Sequence, residues 1–188
     1  MYAIYIIAVC MMIMSMVVIS SGEDPEQENL ASVQVEQMLM YHKSAVKACQ
    51  AVPASCAGAV EIPRASIRAQ ISGVAANGAA YNSNSLYRAF SDGSGHVVTT
   101  MVPAIAYPGQ VGTAAYNAAL PGVRQRFATH GMFLEQAQNK YTYLYAGLYD
   151  RNSSRLPNTH DDTLVIPRSI SSANAAFMPS APMFASEW

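Results

Sequence analysis

Residues 1–20, from Met1 to Ser20, carry no charged side chain, and the acidic Glu23, Asp24, Glu26 and Glu28 follow almost at once. At 1.5 Å of rise per residue, about 20 apolar residues in a helix cross the roughly 30 Å hydrocarbon layer of a bilayer. The segment 1–21 therefore predicts a transmembrane anchor, with the bilayer as the chain's first partner. A cleaved signal peptide is the competing reading, because Val18-Ile19-Ser20 resembles a small-residue cleavage pattern. Against it, no Lys or Arg precedes the apolar stretch, and the stretch outruns the roughly 7–15 residues of a signal core. Cys10 follows Val9 rather than a small residue, which makes it a poor lipidation site and a better apolar side chain in lipid.

Orientation normally follows Lys and Arg, and the first here is Lys43. A short uncharged start, an acidic run and then a large domain favour the N-terminus inside and the domain outside. In a bacterium this is a single-pass protein of the inner membrane with its C-terminal domain in the periplasm. Cysteine spacing agrees with an oxidising compartment. Six residues separate Cys49 from Cys56 and include Pro53, so the two are candidates for a disulfide, two free buried thiols being the alternative. No third or fourth ligand lies near them for a metal.

The remaining length suits one domain with a modest core. The five acidic residues Glu23 to Glu36 all precede the first basic one, and the basic residues beyond are scattered. That distribution gives no nucleic-acid footprint. Pro25, Glu26 and Glu28 suit a helix start, with Lys43 and Lys47 toward the negative end of the helix dipole. A stalk helix is expected within 22–50, with Leu30, Val33, Met38, Tyr41, Ala45 and Val46 as its packing stripe. Residues 51–63 read as a linker and 63–72 as a short helix ended by Gly73. Tyr87–Phe90 and His96–Val102 flank Asp92-Gly93, the signature of a tight hairpin turn.

A helix is expected after Gly112, stopped by Pro121-Gly122, then a small strand at 123–129 and a mixed segment after Gly131. Tyr141, Tyr143 and Tyr145 alternate and so share one face of a strand across 140–149. Thr163–Ile166 reads as a last short strand. Residues 169–188 show no period and almost no charge, which predicts a flexible C-terminal tail. Its apolar Phe177, Phe184 and Trp188, together with the three tyrosines, are candidate partner-binding residues. The fold class is thus α+β: an anchor and stalk helix, then a small mixed periplasmic domain over 51–168 with an antiparallel sheet.

Enzyme signatures are missing from the sequence: no Gly-x-Ser-x-Gly elbow, phosphate loop, His-Glu-x-x-His or dinucleotide fingerprint occurs. His160-Asp161-Asp162 reads as a solvated turn rather than a metal site, and His96 as an exposed cross-strand partner. Glu61 and Glu135 are single carboxylates with no visible second acid, so a wall-glycan hydrolase is a remote alternative. Five of the eleven methionines lie at positions 1–16, and the rest form no Met-x-x-Met array. No catalytic, cofactor or metal residue is assigned, and no small-molecule substrate or cofactor is expected.

The order of parts carries a resemblance. The segment 1–20, Gln37-Met-Leu-Met-Tyr41, the hairpin 87–102, Pro108-Gly-Gln-Val-Gly112 and Leu164-Val-Ile166 together resemble the PilM family of type IVb, or conjugative, thin pilus systems. The resemblance implies a small non-enzymatic inner-membrane component of a pilus assembly or basal-body apparatus. It implies partners among assembly proteins or pilin in a multi-subunit complex, and no catalytic residues. The chain departs from the family in its length, near 131–155 and in the tail 169–188. A minor pilin or pilus-tip adhesion subunit is the nearest competitor, since it also joins an N-terminal hydrophobic helix to an α+β head. A prepilin, however, needs a Glu inside the apolar run, and Glu23 lies beyond it.

Overall fold

The computed structural model describes residues 25–71, 86–102, 124, 127–150, 154–157, 163–167, 170 and 180–188. Among them the architecture is α+β: a long N-terminal helix laid on an antiparallel sheet. None of the described helices is long and apolar enough to cross a membrane. The anchor expected at 1–21 lies outside the described residues.

Helix α1 (Pro25–Ala51, 27 residues) opens on proline, which tolerates the first turn because that turn's N–H groups have no helical partner, and carries Glu26 and Glu28 there. At 1.5 Å per residue it is about 40 Å long. Its buried face is Ala31, Val35, Met38, Tyr41, His42, Ala45, Ala48 and Cys49, at spacings of three and four. The stripe predicted from sequence is therefore corrected at its start. Leu30 is 57% and Val33 50% exposed, whereas Ala31 and Val35 turn inward.

A 3-10 turn (Pro53–Cys56) follows, and a disulfide joins Cys49 to Cys56 across a Cα separation of 5.5 Å. Helix α2 (Arg64–Ala69) is shorter than the 63–72 expected, and buries Ile67. Strands β1 (Tyr87–Ser91) and β2 (His96–Met101) form the hairpin that Asp92-Gly93 signals. The Asp92 carboxylate closes the turn by accepting the N–H groups of Ser94 and His96, at 2.7 and 2.9 Å. Gly93 supplies the positive φ of 76°.

Helix, not strand, is found among the described residues of 123–129, and helix also opens the mixed segment expected after Gly131. Arg124, Phe127 and Ala128 are helical, and α3 runs His130–Lys140 through Gly131. A glycine costs a helix only about 1 kcal/mol, and buried Leu134 and His130 give α3 a packed face that outweighs it. Strand β3 is only Tyr145–Leu148. Strands β4 (Arg155–Pro157) and β5 (Thr163–Val165) make a separate two-stranded sheet.

The largest correction concerns the tail. Pro182–Glu187 is strand β6, and it sits inside the four-stranded sheet of order β1-β2-β6-β3, hydrogen-bonded to β2 on one side and β3 on the other. Residues 182–187 are thus the interior of the sheet and not a flexible appendage. Proline is tolerated there because it is the strand's first residue. Residues 171–179, with Phe177, lie outside the described residues.

Pairing register puts Tyr87, Ala89, Val97, Thr99, Phe184, Ser186 and Ala146 on the face toward α1, where the Tyr87 hydroxyl donates to the Gln34 carbonyl at 3.0 Å. The opposite face is buried too: Phe90, Val98, Thr100, Met183 and Ala185 are each at most 2% exposed. The outer edge of β1 is covered by the chain after the disulfide, through Ile62 N–H to the Ala89 carbonyl and Ser91 N–H to the Val60 carbonyl. Covering an edge removes a template for unwanted strand pairing.

Candidate functional site

The helix–sheet interface holds a buried polar cluster. His42 projects from the middle of α1 into the sheet, with Nδ1 2.9 Å from Thr99 Oγ1 and Nε2 3.0 Å from Ser186 Oγ. Ser186 Oγ also donates to the Glu187 carbonyl at 3.2 Å. One proton arrangement satisfies all three contacts: Nε2–H donates to Ser186, and the Thr99 hydroxyl donates to bare Nδ1. Burial, and secondarily the positive charge of Lys43, pushes the His42 pKa down to about 3. The imidazole is therefore neutral, its ring 6.1 Å from that of Phe184. A histidine beside a serine invites a nucleophile–base reading, but His42, Thr99 and Ser186 are at most 3% exposed. The cluster positions α1 on the sheet rather than facing a substrate.

The outward side of α1 is a different surface. Helix α3 runs beside it in the same direction, since His130 Nε2 meets Gln34 Oε1 at 2.9 Å near one end and Lys43 meets Tyr141 at the other. Between the two helices lies a groove of about 390 Å³, lined by apolar Val35, Leu39, Phe133 and Ala137. Glu36, Lys43, Lys140 and Tyr141 add polar groups to its lining. Lys43 Nζ stands 4.1 Å and Lys140 Nζ 5.5 Å from the centre of the Tyr141 ring. Hydrogen bonding from Lys43, reinforced by its charge and that of Lys140, lowers the Tyr141 hydroxyl pKa below its ordinary value. Neither lysine is paired with a carboxylate among the described residues. Among the described residues this end of the groove is consequently a cationic site without an ion-pair partner, beside an apolar floor.

The tyrosines expected to share one strand face are divided. Tyr141 caps α3, its N–H bonded to the Ala137 and Gln138 carbonyls, and a turn closes through Leu144 N–H to the Tyr141 carbonyl. Only Tyr145 lies in β3, so the alternation across 141–145 never forms. Tyr141 and Tyr143 have ring centres 6.0 Å apart, and Tyr143 is 58% exposed. Tyr145 instead packs edge-on against His96, whose Nδ1 is 2.9 Å from Asp92 Oδ2. His96 is half-buried with its own carboxylate partner, not the exposed residue expected.

Among the other sequence candidates, Phe184 is fully buried beneath α1 and is unavailable to a partner. Trp188 packs partly against the core, and its backbone N–H donates to the Gly95 carbonyl at 3.0 Å. Glu61 forms a two-pronged ion pair with Arg88 on the β1 side of the sheet, whereas Glu135 is exposed on α3. Among the described residues, no three His, Cys, Asp or Glu side chains cluster as a metal site. His160-Asp161-Asp162 lies outside them.

Sequence reading missed the groove, because its walls come from segments about a hundred residues apart. The only local signal was Lys140-Tyr141 at the end of α3. Comparison with known proteins finds no matching family model, no matching curated protein and no matching solved structure.

Proposed function

We propose that the chain is a non-enzymatic, inner-membrane-anchored component of a type IV, conjugative thin pilus assembly or basal-body apparatus, and that its periplasmic domain binds assembly proteins or pilin. The observation that carries this reading is the outward side of α1. A helix that rests one face on a sheet normally offers water a polar surface, yet here Leu30, Val33 and Met40 are each at least 50% exposed, and Met40 also lines the groove with apolar walls. Such a surface suits docking of another protein better than catalysis on a small substrate. The apolar run 1–20 and the Cys49–Cys56 disulfide support placement at a membrane facing an oxidising compartment.

A minor pilin remains the second reading, favoured by the long helix that follows the apolar run and lies along an antiparallel sheet. The two differ in where the chain ends up. In cells assembling pili, an assembly component stays in the membrane fraction, its deletion abolishes pili while pilin persists, and a photo-crosslinker at Tyr143 captures an assembly protein or pilin. Recovery of the chain in sheared pili favours the minor pilin. Normal pili in the deletion strain would remove both readings.

A further inference from the structure

We infer that the α1–α3 groove takes the acidic start of α1 from a second copy of this chain, in an antiparallel, two-fold pairing. The first argument is charge. Among the described residues, Lys43 and Lys140 form a cationic site with no carboxylate partner, and Glu26 and Glu28, at the other end of α1, form no salt bridge with a basic side chain. Opposite charges at the two ends of one helix match in an antiparallel pair and repel in a parallel one.

The second argument is spacing. Glu26, Leu30 and Val33 stand at i, i+4 and i+7, so they share one face of α1, and Leu30 and Val33 are at least half exposed. Running backward from Lys43, Leu39 lies four residues away and Glu36 seven; running backward from Lys140, Gln136 lies four away and Phe133 seven, and all of them line the groove. With Glu26 of the second copy at Lys43 and Lys140, its Leu30 meets Leu39 and Gln136, and its Val33 meets Phe133 and the stem of Glu36. Each four-residue step is about 6 Å on both helices, so the match is kept along the groove. The two-fold axis repeats the contact in the reverse sense, as a closed dimer requires.

The pairing names a second copy as occupant of the surface on which the pilus reading rests, and the two are told apart because a dimer can exist without a pilus and a pilus component can be monomeric. If residues 1–20 of both copies entered one bilayer, α1 would lie along the membrane surface.

The test is the oligomeric state of the full chain in detergent micelles, by sedimentation velocity corrected for bound detergent. The wild type should dimerise at concentrations up to about 1 mM, more weakly as salt is raised. Lys43→Glu with Lys140→Glu, or Glu26→Lys with Glu28→Lys, should each weaken the dimer about tenfold or more. All four positions are exposed or half-exposed, and unchanged circular dichroism would show that both variants fold. Mixing the two variants should restore dimers, because each supplies the charge that the other has inverted. A monomeric wild type, dimers insensitive to either pair of substitutions, or a mixture that stays monomeric would overturn the inference.

Discussion

At the scale of single residues, the fold turns on His42. A buried neutral imidazole with a pKa of about 3 against 6.5 when exposed binds fewer protons than the unfolded chain between those values. The sign follows from linkage: the depressed pKa leaves stability intact above pH 6.5, and stability is lost as pH falls toward 3, by about 1.4 kcal/mol per unit at full slope. Denaturant titrations from pH 7 to 4 should show this loss, and His42→Gln should flatten the slope within that window. Phe184 and Tyr143 provide a second residue-level contrast, since both are aromatic and both looked available to partners. Phe184→Ala should cost about 3–5 kcal/mol, because it empties a site between α1 and the sheet. Tyr143→Ala, at an exposed turn, should stay within about 0.5 kcal/mol by the same chemical denaturation.

At the scale of elements, the Cys49–Cys56 bridge ties the end of α1 to the segment that covers β1. Cys56 also presents its carbonyl to Ser91 Oγ at 2.6 Å. Closing so short a loop contributes about 2–3 kcal/mol on the chain-entropy account. Cys49→Ser with Cys56→Ser should lower the urea midpoint accordingly, and reductant should then have no further effect. Elements differ in how far their sequences expose them. The hairpin was legible because Asp92-Gly93 provides both the turn conformation and a carboxylate for the turn N–H groups. Helix α1 was legible as a helix, and Met38, Tyr41 and Ala45 as part of its buried face, but the start of that face was not, since Leu30/Val33 and Ala31/Val35 both satisfy three- and four-residue spacing. The sheet selects the second set, whose small Ala31, Ala45 and Ala48 allow close approach. Strand β6 was missed for a related reason. With Met183 and Ala185 buried on one face and Phe184 and Ser186 on the other, there is no alternation to read.

At the scale of the whole molecule, the sheet order joins the two ends of the described chain: β6, from the C-terminal end, lies beneath α1 and between β2 and β3. Removing residues 180–188 therefore takes out two strand interfaces and the Ser186 contact to His42 together. The truncated chain should lose its cooperative unfolding transition and its near-ultraviolet circular dichroism. A truncation that unfolds with the wild-type midpoint would show that residues 182–187 are dispensable, as a flexible tail would be.

The sequence by itself determined what depends on neighbours along the chain: the apolar length of 1–20, a helix opening at Pro25, the Asp92-Gly93 turn, and the closeness of Cys49 to Cys56. Each is a matter of local dihedral preference, hydrophobic run length or short-loop closure. Tertiary structure alone decided which stripe at the start of α1 is buried, that strand β6 is an inner one, and that Lys43 and Lys140 converge on Tyr141 beside an apolar groove. Those outcomes depend on burial and charge contributed by segments far apart in sequence, which no local pattern encodes.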